Sequence, residues 1–167
     1  SPEMVEKGVA CVSAKDFRWE KCHIKSTSLL GNVLARQISA DAGATETILF
    51  RDGFLTEAAA SNVFVVKDGA VAAAPQDNHI LLGITYELLT ELAQAGKLRF
   101  DVRPVTEAQV RAADEIWLSS STKEVLAVTT LDGRPVGAGV PGPVFRRMHA
   151  LYQEYKARLA AASAVAD

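Results

Sequence analysis

Three Asp-Gly pairs, Asp52-Gly53, Asp68-Gly69 and Asp132-Gly133, each stand between short apolar segments. Asp-Gly suits the tight turns, with φ positive at both central residues, that join antiparallel strands. Three such turns exclude a purely parallel sheet. Residues 45–50 read as a strand that returns through 54–56. Residues 62–66 are almost wholly apolar and fit a buried strand, returning through 70–73. Residues 115–118 and 125–131 read as strands flanking a serine cluster, and 5–14 and 98–104 as two more.

Helical spacing appears between these strands. Over 28–42, Leu30, Val33, Leu34 and Ile38 form one stripe, and Gly43 is a natural stop. Over 84–94 the inner face is Ile84, Leu88, Leu89 and Leu92, ended by Gly96. Thr106 caps a short helix over 107–112. Gly142-Pro143 opens a last helix with Val144, Met148, Leu151, Tyr152, Tyr155 and Leu159 inward, and the small residues after Ala160 are expected to fray. The fold class is α/β (mixed α+β): a mixed, barrel-like sheet packed by helices, in a single domain over residues 1–167.

The chain of 167 residues is about one domain. A net charge of −2 argues against nucleic acid or an anionic membrane surface as the main partner. Cys11 and Cys22 have no metal-ligand spacing, which suits a reducing cytoplasm. No signal peptide and no apolar run of about 18 residues is present. The start at Ser1-Pro2, without methionine, reads as a cut or processed chain.

Four places carry chemistry. Lys25 lies in Cys22-His23-Ile24-Lys25-Ser26, after Arg18, Trp19 and Lys21. A lysine that attacks a carbonyl must be partly unprotonated, through burial or a nearby cation. Ile24 and Leu29 are the expected apolar walls; by position alone Lys25 reads first as a surface lysine before a helix. Glu57 stands in Thr56-Glu57-Ala58-Ala59-Ala60-Ser61-Asn62-Val63-Phe64, where small residues let backbone approach a flat ring. Gly83-Ile84-Thr85 opens a helix, and a helix N-terminus is an anion site. Ser119-Ser120-Ser121-Thr122 closes a strand, and buried hydroxyls there need partners.

The order and spacing of these four motifs, over about residues 16–157, resemble the fold-type IV (class IV) aminotransferases, most closely the D-amino acid aminotransferases. The resemblance implies pyridoxal 5'-phosphate as cofactor. Lys25 inherits the roles of Schiff-base lysine and of the acid/base for the substrate α-proton, and Glu57 that of ring-nitrogen partner. Leu81 is assigned to the ring, and Ile84, Thr85, Ser120 and Ser121 to the phosphate. Thr122 is assigned to the substrate side. Trp19 is expected to pack, and Arg18 to pack or to form a salt bridge. Ser61 and Asn62 are expected to support the Glu57 loop. His23, His79 and His149 show no metal spacing.

The implied reaction carries an amino group from a D-amino acid to a 2-oxo acid. Branched-chain aminotransferase and aminodeoxychorismate lyase are the alternatives within the family. Members also have an N-terminal domain, which this chain is expected to lack. The implied partners are that domain, a second subunit in a homodimer, and the amino acid and oxo acid. A folded but silent fragment is the reading from a different class.

Overall fold

The computed structural model describes residues 1–164. All three Asp-Gly turns form: Asp52 and Gly53 have φ of 52° and 82°, Asp68 and Gly69 of 49° and 78°, Asp132 and Gly133 of 50° and 75°. Each joins an antiparallel pair. These are β2 (Glu46–Arg51) with β3 (Phe54–Ala58), β4 (Asn62–Lys67) with β5 (Ala70–Ala73), and β8 (Glu124–Leu131) with β9 (Arg134–Pro135).

With β1 (Val9–Lys15), β6 (Phe100–Val102) and β7 (Glu115–Ser120) they make a nine-stranded sheet, ordered β3-β2-β1-β8-β7-β4-β5-β6, with β9 beside β8. The β1-β2, β1-β8 and β5-β6 pairs are parallel. The sheet curls into a half-barrel: Leu55 N donates to Val105 O at 2.8 Å, and Phe54 bridges to Thr106, so the chain leaving β6 returns to β3.

Strand alternation divides the core. Val63, Val65, Ile116, Leu118, Leu126 and Val128 fill the inside of the curl. Phe64, Val66 and Trp117 face outward, beneath α3 (Ile84–Ala95) and α5 (Pro143–Ala164). With both faces covered, the central strands carry unbroken apolar runs over 63–66, 116–118 and 125–128. The short α4 (Glu107–Arg111) follows its Thr106 cap, whose Oγ1 accepts from Gln109 N at 3.1 Å.

Several expected elements differ. Residues 2–7 form a helix, α1 (Pro2–Lys7), so β1 begins at Val9 and not at residue 5. Proline suits a first turn, Lys7 pairs with Glu3 one turn back at 2.9 Å, and Gly8, with φ of 75°, ends the helix. β6 is shorter than 98–104 because Lys97 turns the chain at φ of 55° and Pro104 has no N–H to donate. In α3 the buried residues are Thr85, Tyr86, Leu89, Leu92 and Ala93, while Ile84 is 86% exposed. α5 stays helical to Ala164, with Phe145, Met148 and Tyr152 buried and Leu159 exposed; the rest of the expected fraying tail lies outside the described residues.

The helix expected over 28–42 forms as α2 (Leu30–Asp41). Its apolar stripe, Leu30, Val33, Leu34 and Ile38, points away from the sheet. The residues against β2 are Ala35 and Ser39, which are fully buried. A helix resting close on a strand needs small side chains at the contact, and Thr47 Oγ1 even donates to Ala35 O at 2.7 Å.

Candidate active site

Glu57 leaves β3 with its carboxylate buried. Oε1 accepts from Arg18 Nη1 at 2.6 Å. Oε2 accepts from Asn62 Nδ2 and from Leu81 N, each at 3.2 Å. Burial pushes Glu57 up to about 7, against the downward pull of Arg18. Arg18 is itself buried and bonds Asp16 through Nε at 3.0 Å and Nη2 at 2.9 Å. Burial raises Asp16, but Arg18 and the Thr56 hydroxyl outweigh it and hold Asp16 at about 2.

Asn62 ties this carboxylate to the start of α3. Its Nδ2 also donates to Leu81 O at 3.0 Å. A Cβ on Gly83 would meet Asn62 Oδ1 at 3.2 Å, so the glycine allows the close approach. Gly83 is the N-cap of α3 and offers no side chain, which leaves the first-turn amides of Ile84 and Thr85 without a side-chain cap.

The serine cluster lies next to the same point. The β4-β7 ladder sets Ser119 opposite Asn62, and directly opposed residues project to the same face. Among the described residues Ser119 Oγ is buried without a partner. Ser120 Oγ accepts from Lys123 N at 3.1 Å and lies 3.3 Å from Thr122 Oγ1. Ser121 and Thr122 are exposed.

Lys25 sits on the irregular stretch between β1 and α2. That stretch is stitched to the loop before α3: Asn78 Nδ2 donates to Glu20 O at 2.7 Å, and Arg18 Nη2 to His79 O at 3.1 Å. The apolar walls expected for Lys25 do not form. Ile24 and Leu29 are about half exposed, and Lys25 is exposed. An open cleft of about 480 Å³ runs along Arg18, Trp19 and residues 27–32.

Glu57, Leu81, the Ile84-Thr85 helix start and the serine turn are thus gathered round Asn62, and the Lys25 loop is tied to them through Arg18 and Asn78. The salt bridge expected for Arg18 forms, and Asn62 supports the Glu57 loop as expected; Trp19 does not pack but is half exposed. Glu46 and Lys123 drew no attention as sequence, because each matters through partners distant in the chain.

Residues 1–131 match the family model for amino-transferase class IV, and the chain belongs to that family. It is 38% identical over 148 residues to the D-alanine aminotransferase of Bacillus licheniformis, covering 89% of this chain and 52% of that one. It is 37% identical over 153 residues to the D-alanine aminotransferase of Staphylococcus epidermidis, covering 92% and 54%. A T.th. branched-chain amino acid aminotransferase with pyridoxamine 5'-phosphate is similar in structure, with a TM-score of 0.86 at 29% identity over 92% of this chain and 52% of that chain. The chain spans about half the length of the curated relatives it matches.

Class IV aminotransferases depend on pyridoxal 5'-phosphate. The residues present fit that group. The buried, unpartnered Ser119 hydroxyl and the uncapped α3 start suit an oxyanion, and the buried Glu57 suits a protonated ring nitrogen.

Proposed function

We propose that this chain is the cofactor-bearing part of a transaminase that moves an amino group from a D-amino acid to a 2-oxo acid. One observation carries the reading: Glu57, buried and pushed up to about 7, shares Asn62 with the uncapped start of α3. Ring-nitrogen and phosphate chemistry therefore have neighbouring homes.

Pyridoxal phosphate, when bound, supplies an electron sink for charge at a substrate α-carbon. Glu57 holds a proton at the ring nitrogen, and Arg18 keeps the carboxylate ionised enough to do so. Ile84 and Thr85 would offer amides, and Ser120 and Ser121 hydroxyls, to the phosphate, and Leu81 would face the ring. Lys25 would supply the amine that holds the cofactor and the base that takes and returns the substrate α-proton, and Thr122 would line the substrate side. Lys25 needs burial to be a good nucleophile, so the reading requires another surface to cover its loop.

The N-terminal part of the same protein and a second subunit are the partners that would do so. The exposed apolar side chains of Trp19, Ile24, Leu29, Leu30, Val33 and Leu34 support such a covering. The chain alone is expected to bind cofactor weakly and turn over poorly. A cytoplasmic setting belongs to the same reading and rests on two free cysteines, Cys11 and Cys22.

The D-amino acid preference rests on the D-alanine aminotransferase relatives; the likeness to a branched-chain enzyme favours L-substrates as the second reading. Incubation with pyridoxal phosphate, borohydride reduction and peptide mapping should find the adduct on Lys25. Adducts scattered over surface lysines overturn the site. A half-reaction of the whole protein with D- and L-alanine should favour D; preference for L overturns the D-amino acid reading and leaves the family standing.

A further inference from the structure

Glu46 opens β2 and is completely buried. A carboxylate out of water is costly unless several donors reach it. Ser61 Oγ donates to Glu46 Oε2 at 3.1 Å, and Thr47 N donates to Oε1 at 3.3 Å. Lys123 Nζ lies 3.3 Å from Oε2, and Arg36 Nη1 lies 3.9 Å from Oε1.

These side chains come from different parts of the fold. Ser61 ends the loop that begins at Glu57, and its carbonyl accepts from Ala58 N at 2.8 Å to close that loop. Lys123 belongs to the β7-β8 turn, with Ser121 and Thr122, and its own amide is bonded to Ser120 Oγ. The same turn is held from the other side. Glu124 takes the left-handed conformation, with φ of 57°, and its carboxylate accepts from Gln153 Nε2 at 2.9 Å and from Lys156 Nζ.

We propose that Glu46 is a positioning residue: through Lys123 and Ser61 it fixes the Ser120-Ser121-Thr122 hydroxyls relative to the Glu57 loop. This rests on the cofactor reading above and deepens it. The ring nitrogen and the phosphate of one small molecule are a fixed distance apart. The two protein clusters that meet them must be held at a matching separation. The β4-β7 ladder joins them as far as Asn62 and Ser119. Beyond that pair the chains diverge into loop and turn, and Glu46 supplies the tie between side chains. Glu46 itself sits in the β1-β2 part of the sheet, so the tie is braced by strands outside the site.

A plain core ion pair predicts a different pattern under mutation. Removing one member of a buried pair strands the other, whereas removing both is far milder. The chain is compared with Glu46→Gln, Lys123→Met and the double variant. Urea unfolding gives stability, and titrations give dissociation constants for pyridoxal phosphate and for pyridoxal. The parent should prefer the phosphorylated form. Each single variant should lose stability and about tenfold of that preference, the scale of one well-placed bond to a charged group. Pyridoxal affinity should move less than about twofold. The double variant should regain stability but not the preference.

A Ser121→Ala chain should lose a similar preference, and adding Glu46→Gln to it should lose little more. A preference that returns with stability in the double variant overturns the positioning role. So do losses that multiply when Glu46→Gln joins Ser121→Ala. If Glu46→Gln does not fold, Lys123→Met, whose side chain is 18% exposed, carries the same comparisons. A parent that binds neither compound overturns the cofactor reading and this role together. A parent preference retained in all variants overturns this role alone.

Discussion

Arg18 Nη1 donates to Glu57 Oε1 at 2.6 Å, and both side chains are more than nine-tenths out of water. Arg18 also holds Asp16, while Arg51 Nη2 reaches Asp16 from the other side at 3.3 Å. The four charges balance. Arg18→Ala leaves Glu57 buried with only Asn62 and the Leu81 amide. Stranding a buried charge this way should cost about 3–5 kcal/mol in urea unfolding at neutral pH. Arg18→Lys, which keeps the charge but not the fork, should fall between. An Arg18→Ala chain as stable as its parent would mean the pair is not held as described.

Glu57 and Asp16 should mark stability in opposite pH windows. Glu57 is raised to about 7 from an ordinary 4.5. Between those values the unfolded chain gives up a proton that the folded chain keeps, so stability falls as pH rises, by about 3 kcal/mol in full. Glu57→Gln lacks this decline, so its stability relative to the parent should climb from pH 5 to pH 8. Asp16, held at about 2 against 3.8, works the other way. Its stabilisation is present above about 4 and is lost as pH falls towards 2. Denaturant midpoints across pH for parent and variant measure both; a constant difference between pH 5 and 8 removes Glu57 as the source.

What the sequence disclosed was what local chemistry decides. The hairpins were legible because Asp-Gly sets its own backbone conformation at Asp52, Asp68 and Asp132. The Glu57 loop and the α3 start were legible because motif order resembles a known family. The α2 stripe was legible as a stripe but not as to direction. Periodicity reports that one face is apolar, not which surface covers it, and here two small residues face the sheet instead. Glu46 and Lys123 were not legible at all, since a charged residue opening a strand and a lysine in a turn look solvated until the fold joins them.

The outward stripe of α2 should be nearly silent in this chain. Leu34 is 51% exposed, whereas Ala35 is fully buried beside Leu49 and Ala59. Leu34→Lys should change unfolding free energy by less than about 0.5 kcal/mol. Ala35→Leu, forced between helix and strand, should cost about 1–3 kcal/mol. Side-by-side urea curves decide it: a larger loss for Leu34→Lys would put the stripe on the inner face.

Gly142 should tolerate no side chain. Glu115 lies in β7 and is 7% exposed, and its carboxylate caps α5: Oε1 accepts from Phe145 N at 2.7 Å and Oε2 from Val144 N at 3.1 Å. A carboxylate there satisfies two free amides and meets the positive end of the helix dipole. A Cβ on Gly142 would come within 2.2 Å of Glu115 Cδ, so alanine must push the carboxylate off the helix. Gly142→Ala and Glu115→Ala act on one contact, and each should cost about 1–3 kcal/mol. Because the first already breaks what the second removes, the double variant should lose much less than the sum. Additive losses in thermal or urea unfolding would show that the glycine and the cap act independently.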